Sequence, residues 1–247
     1  MQSLDRGLAT IRALNTPDAQ RLSEVARATG LTRASARRFL LTLENLGYVR
    51  QADGRFSLTP QVLELGHAYL SSLTLPDIAG PHLSQLVAQV RESSSVSILD
   101  GQDVVYVARV QARRIMSVTI SVGTRFRAHQ TSMGRVLLAG LPADERTRRL
   151  ADIEFDPRTP RTIVSRGELE AELERVAAQG YALVDQELEL GLRSIAAPIQ
   201  RPDTTVVAAI NLSVPAATLT PAEMRKRLLG ALLKTASAIS SDLALAR

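Results

Sequence analysis

The stretch Gln20-Arg21-Leu22-Ser23-Glu24-Val25-Ala26-Arg27-Ala28-Thr29-Gly30-Leu31-Thr32-Arg33-Ala34-Ser35-Ala36-Arg37-Arg38-Phe39-Leu40, with its continuation to Thr59, decides how the chain is read. Leu22, Val25 and Ala26 share one side of a short helix, and Gly30 marks the turn that ends it. Thr32 is a good N-cap for a second helix, in which Ala36, Phe39, Leu40, Leu43 and Leu46 recur at three- and four-residue spacing as one buried stripe. Arg33, Ala34, Ser35, Arg37 and Arg38 form the exposed early turns. Gly47 closes the helix, and residues 48–51 and 55–58 read as two strands joined through Ala52-Asp53-Gly54, a strong tight-turn signal. This order predicts a winged helix-turn-helix. Its second helix has donors at the N-terminal end for a major groove and an apolar back to hold it, and Arg50 and Arg55 flank the wing where phosphates would lie. An ordinary helical hairpin would explain the charge but not the succession of helix, turn, helix and basic hairpin.

Charge is distributed to match. Nine of the 30 basic residues and five of the 25 acidic ones fall in the first 60 positions, so most of the net charge of +5 lies in this head. Phosphate binding needs such a local excess rather than a basic chain as a whole. At 247 residues and 45% hydrophobic content the chain has room for a folded core in two domains. The lack of cysteine removes disulfides, thiolate metal sites and cysteine nucleophiles, and fits a reducing cytoplasm. No apolar signal run and no membrane-length apolar segment is evident, so a cytoplasmic chain with no membrane partner is expected.

Before the head, Leu4, Leu8, Ile11 and Leu14 predict an amphipathic helix that packs behind it. After it, Thr59-Pro60 starts a connecting helix whose apolar face continues until Pro76. A single small head spans few base pairs, so an apolar connector beside it predicts a homodimer or homotetramer. The expected divisions are 1–59 for the head, 60–76 for the connector and 77–247 for a second domain. In that domain, helices are expected over 78–90, from Thr131 onward and over 168–178, and strands over 96–99, 104–110, 116–122, 181–185, 194–199 and 205–214. A closing helix should start at the Thr220-Pro221-Ala222-Glu223 capping box and run toward Leu243. The fold class is α+β: a winged head, then a curved antiparallel sheet flanked by helices.

Gln2-Ser3-Leu4-Asp5-Arg6-Gly7-Leu8, the run from Thr131 to Ala139 and Gly191-Leu192-Arg193-Ser194-Ile195-Ala196-Ala197-Pro198 resemble the IclR family of bacterial transcription regulators across essentially the whole chain. Thr159-Pro160-Arg161-Thr162-Ile163, the run from Gly180 to Gly191 and Ala208-Ala209-Ile210-Asn211-Leu212-Ser213 resemble its subgroup controlling aromatic catabolism, the protocatechuate, 4-hydroxybenzoate, catechol and β-ketoadipate regulators. Regulation of another carbon pathway is the alternative. The resemblance implies a double-stranded DNA operator and a small carboxylated effector held between sheet and helices.

Thr131 caps a helix whose first N–H groups, around Ser132, Met133 and Gly134, would meet an anion, with Gly134 allowing close approach. From the family's pattern, Ser194, Asn211 and Ser213 should face the same ligand. A family polar position in the loop before Ser194 lands on Val184 or Asp185 according to strand register, which makes Asp185 and Glu187 candidates; the alternative for Glu187 is a solvated loop. His129 could line the pocket. Arg109, Arg125, Arg127 and Arg193 could neutralise a carboxylate or lie on the surface. No cofactor or metal is implied. An enzyme would need Ser132 activated by His129, without an elbow motif around the serine. A DNA-coating protein would need no second domain larger than its head.

Overall fold

The computed structural model describes residues 2–65, 74–112 and 120–246. Its contacts divide the chain into two compact units, Met1–Leu73 and Thr74–Arg247.

In the first unit, α1 (Gln2–Ala13), β1 (Gln20–Arg21), α2 (Leu22–Thr29), α3 (Arg33–Asn45), β2 (Val49–Ala52) and β3 (Arg55–Leu58) close around Leu14, Val25, Leu40, Leu43, Val49 and Phe56. Thr32 accepts the Ser35 N–H as N-cap of α3, and Gly30 ends α2 in the left-handed region. The wing is a two-residue hairpin, with Ala52 paired to Arg55 and both Asp53 (φ 50°) and Gly54 (φ 69°) left-handed, as such a turn demands. Three local readings differ. Leu46 lies beyond the buried stripe, at the C-cap, and is 56% exposed. Leu4 and Leu8 are exposed on α1, which meets the core through Ile11 and Ala13, with buried Leu14 just past its end. The two-residue β1, too short to carry a periodicity, adds a third strand by pairing with β3.

Thr59 accepts the Gln61 N–H and Pro60 opens a 3₁₀ turn, Pro60–Leu63; the expected connector over residues 66–73 lies outside the described residues. The next helix, α4 (Thr74–Val90), begins ahead of Pro76. Pro76 therefore lies within a helix instead of ending one.

The second unit is a six-stranded, fully antiparallel sheet built from β4 (Ser93–Asp100), β5 (Asp103–Val110), β6 (Arg125–Arg127), β7 (Ala182–Asp185), β8 (Leu192–Gln200) and β9 (Val206–Pro215), in the order β6-β5-β4-β9-β8-β7. Of the strand expected over 116–122, residues 116–119 lie outside the described residues and Ile120, Ser121 and Val122 are not strand; β6 is the strand that pairs there. The long helices α4 and α9 (Leu229–Leu245) pack on one face of the sheet. The other face carries α5 (Ser132–Ala139), with α6 (Ala143–Ala151) and α7 (Arg166–Gln179) beyond it, around Tyr106, Met133, Val136, Leu137, Leu169 and Leu173. Fully buried Ala182, Ala196 and Ala209 keep this face low, which lets α5 lie close to the strands. The closing helix is broken: α8 (Pro221–Arg227), with its Thr220–Glu223 capping box, meets α9 at 53°. Leu228 (φ −113°, ψ −33°) is the residue between the two helices, and its side chain is buried.

Candidate functional site

The head presents Arg33, Ala34, Arg37 and Arg38 at the exposed start of α3. Ser35 is half-buried, and its hydroxyl accepts from Thr32, which makes it part of the cap. Arg50 stays exposed on β2 with its Nε donating to Ser57 Oγ at 3.1 Å. Arg55 is tied inward: it donates to the Ala19 carbonyl at 2.9 Å and so braces β1 against β3.

In the second unit a cavity of about 20 Å³ lies between the start of α5 and the sheet, bordered by Ser132, Met133, Ser194, Asn211, Ser213 and Tyr106. Strand register brings the polar residues together. Val184, Ser194, Ser213 and Ser93 stand opposite one another across β7, β8, β9 and β4, and the next row holds Ala182, Ala196, Asn211 and Ser95. Thr131 caps α5 by accepting the Gly134 N–H at 3.0 Å. Ser132 is 1% exposed, and its hydroxyl has no partner among the described residues. An unsatisfied hydroxyl beside a helix N-terminus, in a pocket walled by serines and an amide, is chemistry suited to a carboxylate, carbonyl or hydroxyl of a small ligand. Asn211 accepts the Ser95 N–H at 3.0 Å and donates to Ser213 Oγ at 3.1 Å, so half of its four-bond capacity is left for anything else. Tyr106, pushed up to about 12 by burial against the opposing pull of Arg109, keeps its phenolic proton as a donor.

Four sequence candidates are placed elsewhere. Gly134 serves packing: a Cβ there would fall 2.0 Å from the Ala128 carbonyl oxygen, so its close approach is to the 3₁₀ turn Ala128–Gln130, and substitution tests folding rather than ligand access. The register separates Val184 from Asp185 in space. Val184 pairs with Ser194 and borders the cavity, whereas Asp185 pairs with Arg193 and is held by the Arg193 and Arg161 guanidinium groups at 2.5 and 2.6 Å. Burial raises the Asp185 carboxyl, and those arginines with Gln186 outweigh it, leaving the group below its ordinary value. Glu187 is buried, not solvated, because Arg135, 1% exposed on α5, takes both its carboxylate oxygens at 2.9 and 2.5 Å and also faces Glu172 at 3.5 Å. His129 is buried edge-to-face against Phe155. Burial, Arg135 and Arg127 push it down to about 4 against the pull of Glu187. Its Nε2 and the Ser132 hydroxyl have no partner among the described residues, so the two do not pair with each other.

The sequence reading missed Tyr106, Leu188 and Leu192 at the cavity and the buried Arg135 that holds Glu187. Tyr106, as an aromatic in an alternating strand, was discoverable; an arginine inside an apolar helix run gave no sign of burial.

A winged head followed by a sheet domain with a polar internal pocket defines the class of ligand-sensing DNA-binding regulators. Residues 3–53 match the IclR helix-turn-helix domain and residues 67–241 the bacterial transcriptional regulator IclR C-terminal domain, and the chain belongs to the IclR family. It is 42% identical over 236 residues to the Pca regulon regulatory protein of Pseudomonas putida, covering 94% of this chain and 81% of that one. It is 36% identical to the p-hydroxybenzoate hydroxylase transcriptional activator of Acinetobacter baylyi, covering 84% and 79%. A crystal structure of a Rhodococcus sp. RHA1 protein is 55% identical over the full length of both chains, with a TM-score of 0.88. No single helix among the described residues is long and apolar enough to cross a membrane.

Proposed function

We propose that this regulator controls genes of aromatic-compound catabolism in response to a small carboxylated aromatic acid or ring-cleavage product bound between α5 and the sheet. The observation that carries the reading is Ser132, whose buried, unpartnered hydroxyl lies at the α5 N-terminus in the same pocket as Ser194, Asn211 and Ser213. The names of the Pseudomonas and Acinetobacter relatives support the pathway. At about 20 Å³ the pocket has room for one water, so an acid enters only as the walls part. Leu188, from the loop pinned by Glu187, and Leu192, at the start of β8, are among the apolar walls. Arg33, Arg37 and Arg38 then read bases while Arg50 meets phosphate, in a homodimer or tetramer that pairs two heads through residues 60–76 and works in the cytoplasm without catalysing a reaction.

The test is a thermal-shift and calorimetric titration with 4-hydroxybenzoate, protocatechuate and cis,cis-muconate. Saturation at roughly 100 times the dissociation constant adds about 2.7 kcal/mol to stability. Asn211→Ala should weaken the bound acid by about 1–3 kcal/mol while leaving ligand-free DNA binding unchanged. An Asn211→Ala protein that folds and binds the acid as tightly as wild type would move the site elsewhere.

A further inference from the structure

We infer that Arg109 supplies the full positive charge that recognises the carboxylate of the effector, and that a β-bulge turns it onto the α5 face of the sheet, at the end of the row that carries Asn211. The inference rests on the pocket assignment above and names the residue that selects acids there.

On an unbroken strand, residues three apart face opposite sides of the sheet, so Tyr106 and Arg109 should diverge. They do not. Val96 pairs with Ala108 but Ser97 pairs with Tyr106, so β5 carries one extra residue at this point. Arg109 thus stands opposite Ser95, and Tyr106 opposite Ser97, on one face. That this is the α5 face follows from Ser97, whose hydroxyl contacts the sulfur of Met133 at 3.3 Å, and from Tyr106, which borders the cavity. Ser95 in turn pairs with Asn211, so the row Ala182, Ala196, Asn211, Ser95 ends in Arg109. The guanidinium leans inward along that row, its terminal nitrogen donating to Ser95 Oγ at 3.1 Å. It lies over β4, one strand spacing of about 4.8 Å from the strand of Asn211.

Its electrostatic state sets it apart. Arg125, Arg127 and Arg193, the other arginines open to a carboxylate role, each hold an aspartate. Among the described residues Arg109 has no acidic partner, and its Nε is buried with no hydrogen bond. Burial lowers its pKa, with Tyr106 opposing, yet a guanidinium stays charged, so the cost of an unpaired, half-buried cation persists until an anion arrives. A carboxylate accepted there would be held by a planar fork, leaving the Ser132 end of the pocket for the ligand's second polar group.

The experiment compares each acid with its neutral amide: 4-hydroxybenzoate with 4-hydroxybenzamide, protocatechuate with 3,4-dihydroxybenzamide, and cis,cis-muconate with its diamide. Wild type should bind at least one acid ten times more tightly than its amide. Arg109→Gln should erase that ratio by weakening the acid at least tenfold and the amide less than twofold, with melting checked by circular dichroism. Arg109→Lys, which keeps the charge and loses the fork, is the second variant should Gln not fold, and it should recover only part of the preference. An acid-over-amide ratio retained in Arg109→Gln, or restored in full by lysine, overturns the role of Arg109 while leaving the pocket in place. Absence of binding by every acid to wild type overturns the pocket reading and this inference together.

Discussion

Arg135→Leu is expected to destabilise the second unit by about 3–5 kcal/mol, the usual cost of removing one member of a buried ion pair. Arg135 is 1% exposed, takes both oxygens of Glu187, faces Glu172 and donates its Nε to the His129 carbonyl at 3.0 Å. Leucine matches much of the volume but removes the Arg135 guanidinium from Glu187, Glu172 and the His129 carbonyl. Glu172 would keep Arg175, whereas Glu187 would keep only the Ile163 N–H, at 3.1 Å. Glu187 is therefore the group left uncompensated. Urea denaturation followed by circular dichroism reads the loss; a change under about 1 kcal/mol would mean that the pair breaks even with its desolvation cost. The consequence reaches function, because the Arg135–Glu187 pair ties α5 to the loop that carries Leu188 toward the pocket.

Simultaneous replacement of Arg33, Arg37 and Arg38 by alanine should abolish the difference between operator and scrambled duplex. A bidentate base contact contributes about 1–3 kcal/mol, so loss of two such contacts already lowers specific affinity on the order of a hundredfold. All three side chains are exposed and carry no part of the Leu40, Leu43 and Val49 core, so the head should remain folded. Arg50→Ala should weaken both duplexes alike and make binding less salt-dependent, as expected of a phosphate contact. Arg55→Ala should act on stability through the Ala19 carbonyl as well. Specific affinity surviving the triple replacement, measured by fluorescence anisotropy, would remove α3 as the reading helix.

What was legible in the sequence was written in short-range chemistry. Thr32, Thr131 and Thr220 announced helix starts because an N-cap acts within three residues, and Asp53-Gly54 announced the wing because only such residues accept two left-handed positions in a row. Ser194, Asn211 and Ser213 border one cavity because β8 and β9 pair in the register that puts Ser194 opposite Ser213. What depended on partners far along the chain was not legible. The bulge that turns Arg109 exists only in the pairing of β5 with β4. Gly134 read as a ligand approach because its neighbour, Ala128, is set by the turn before α5. Glu187 read as solvated or ligand-facing because its cation lies 52 residues away in an apolar helix. The break at Leu228 was invisible because Arg227, Leu228 and Leu229 all suit a helix equally well.

The central claim is that one chain couples an acid held at α5 and the sheet to DNA held at α3. The most direct measurement is the affinity of the intact protein for a duplex from the control region beside its own gene, with and without a saturating acid that thermal shift shows to bind. Coupling between two such sites is typically about 1–3 kcal/mol, so the dissociation constant should move by at least fivefold, in either direction, and Asn211→Ala should require more acid to produce the same shift. Superimposable DNA-binding curves in the presence of every acid that stabilises the protein would contradict the account.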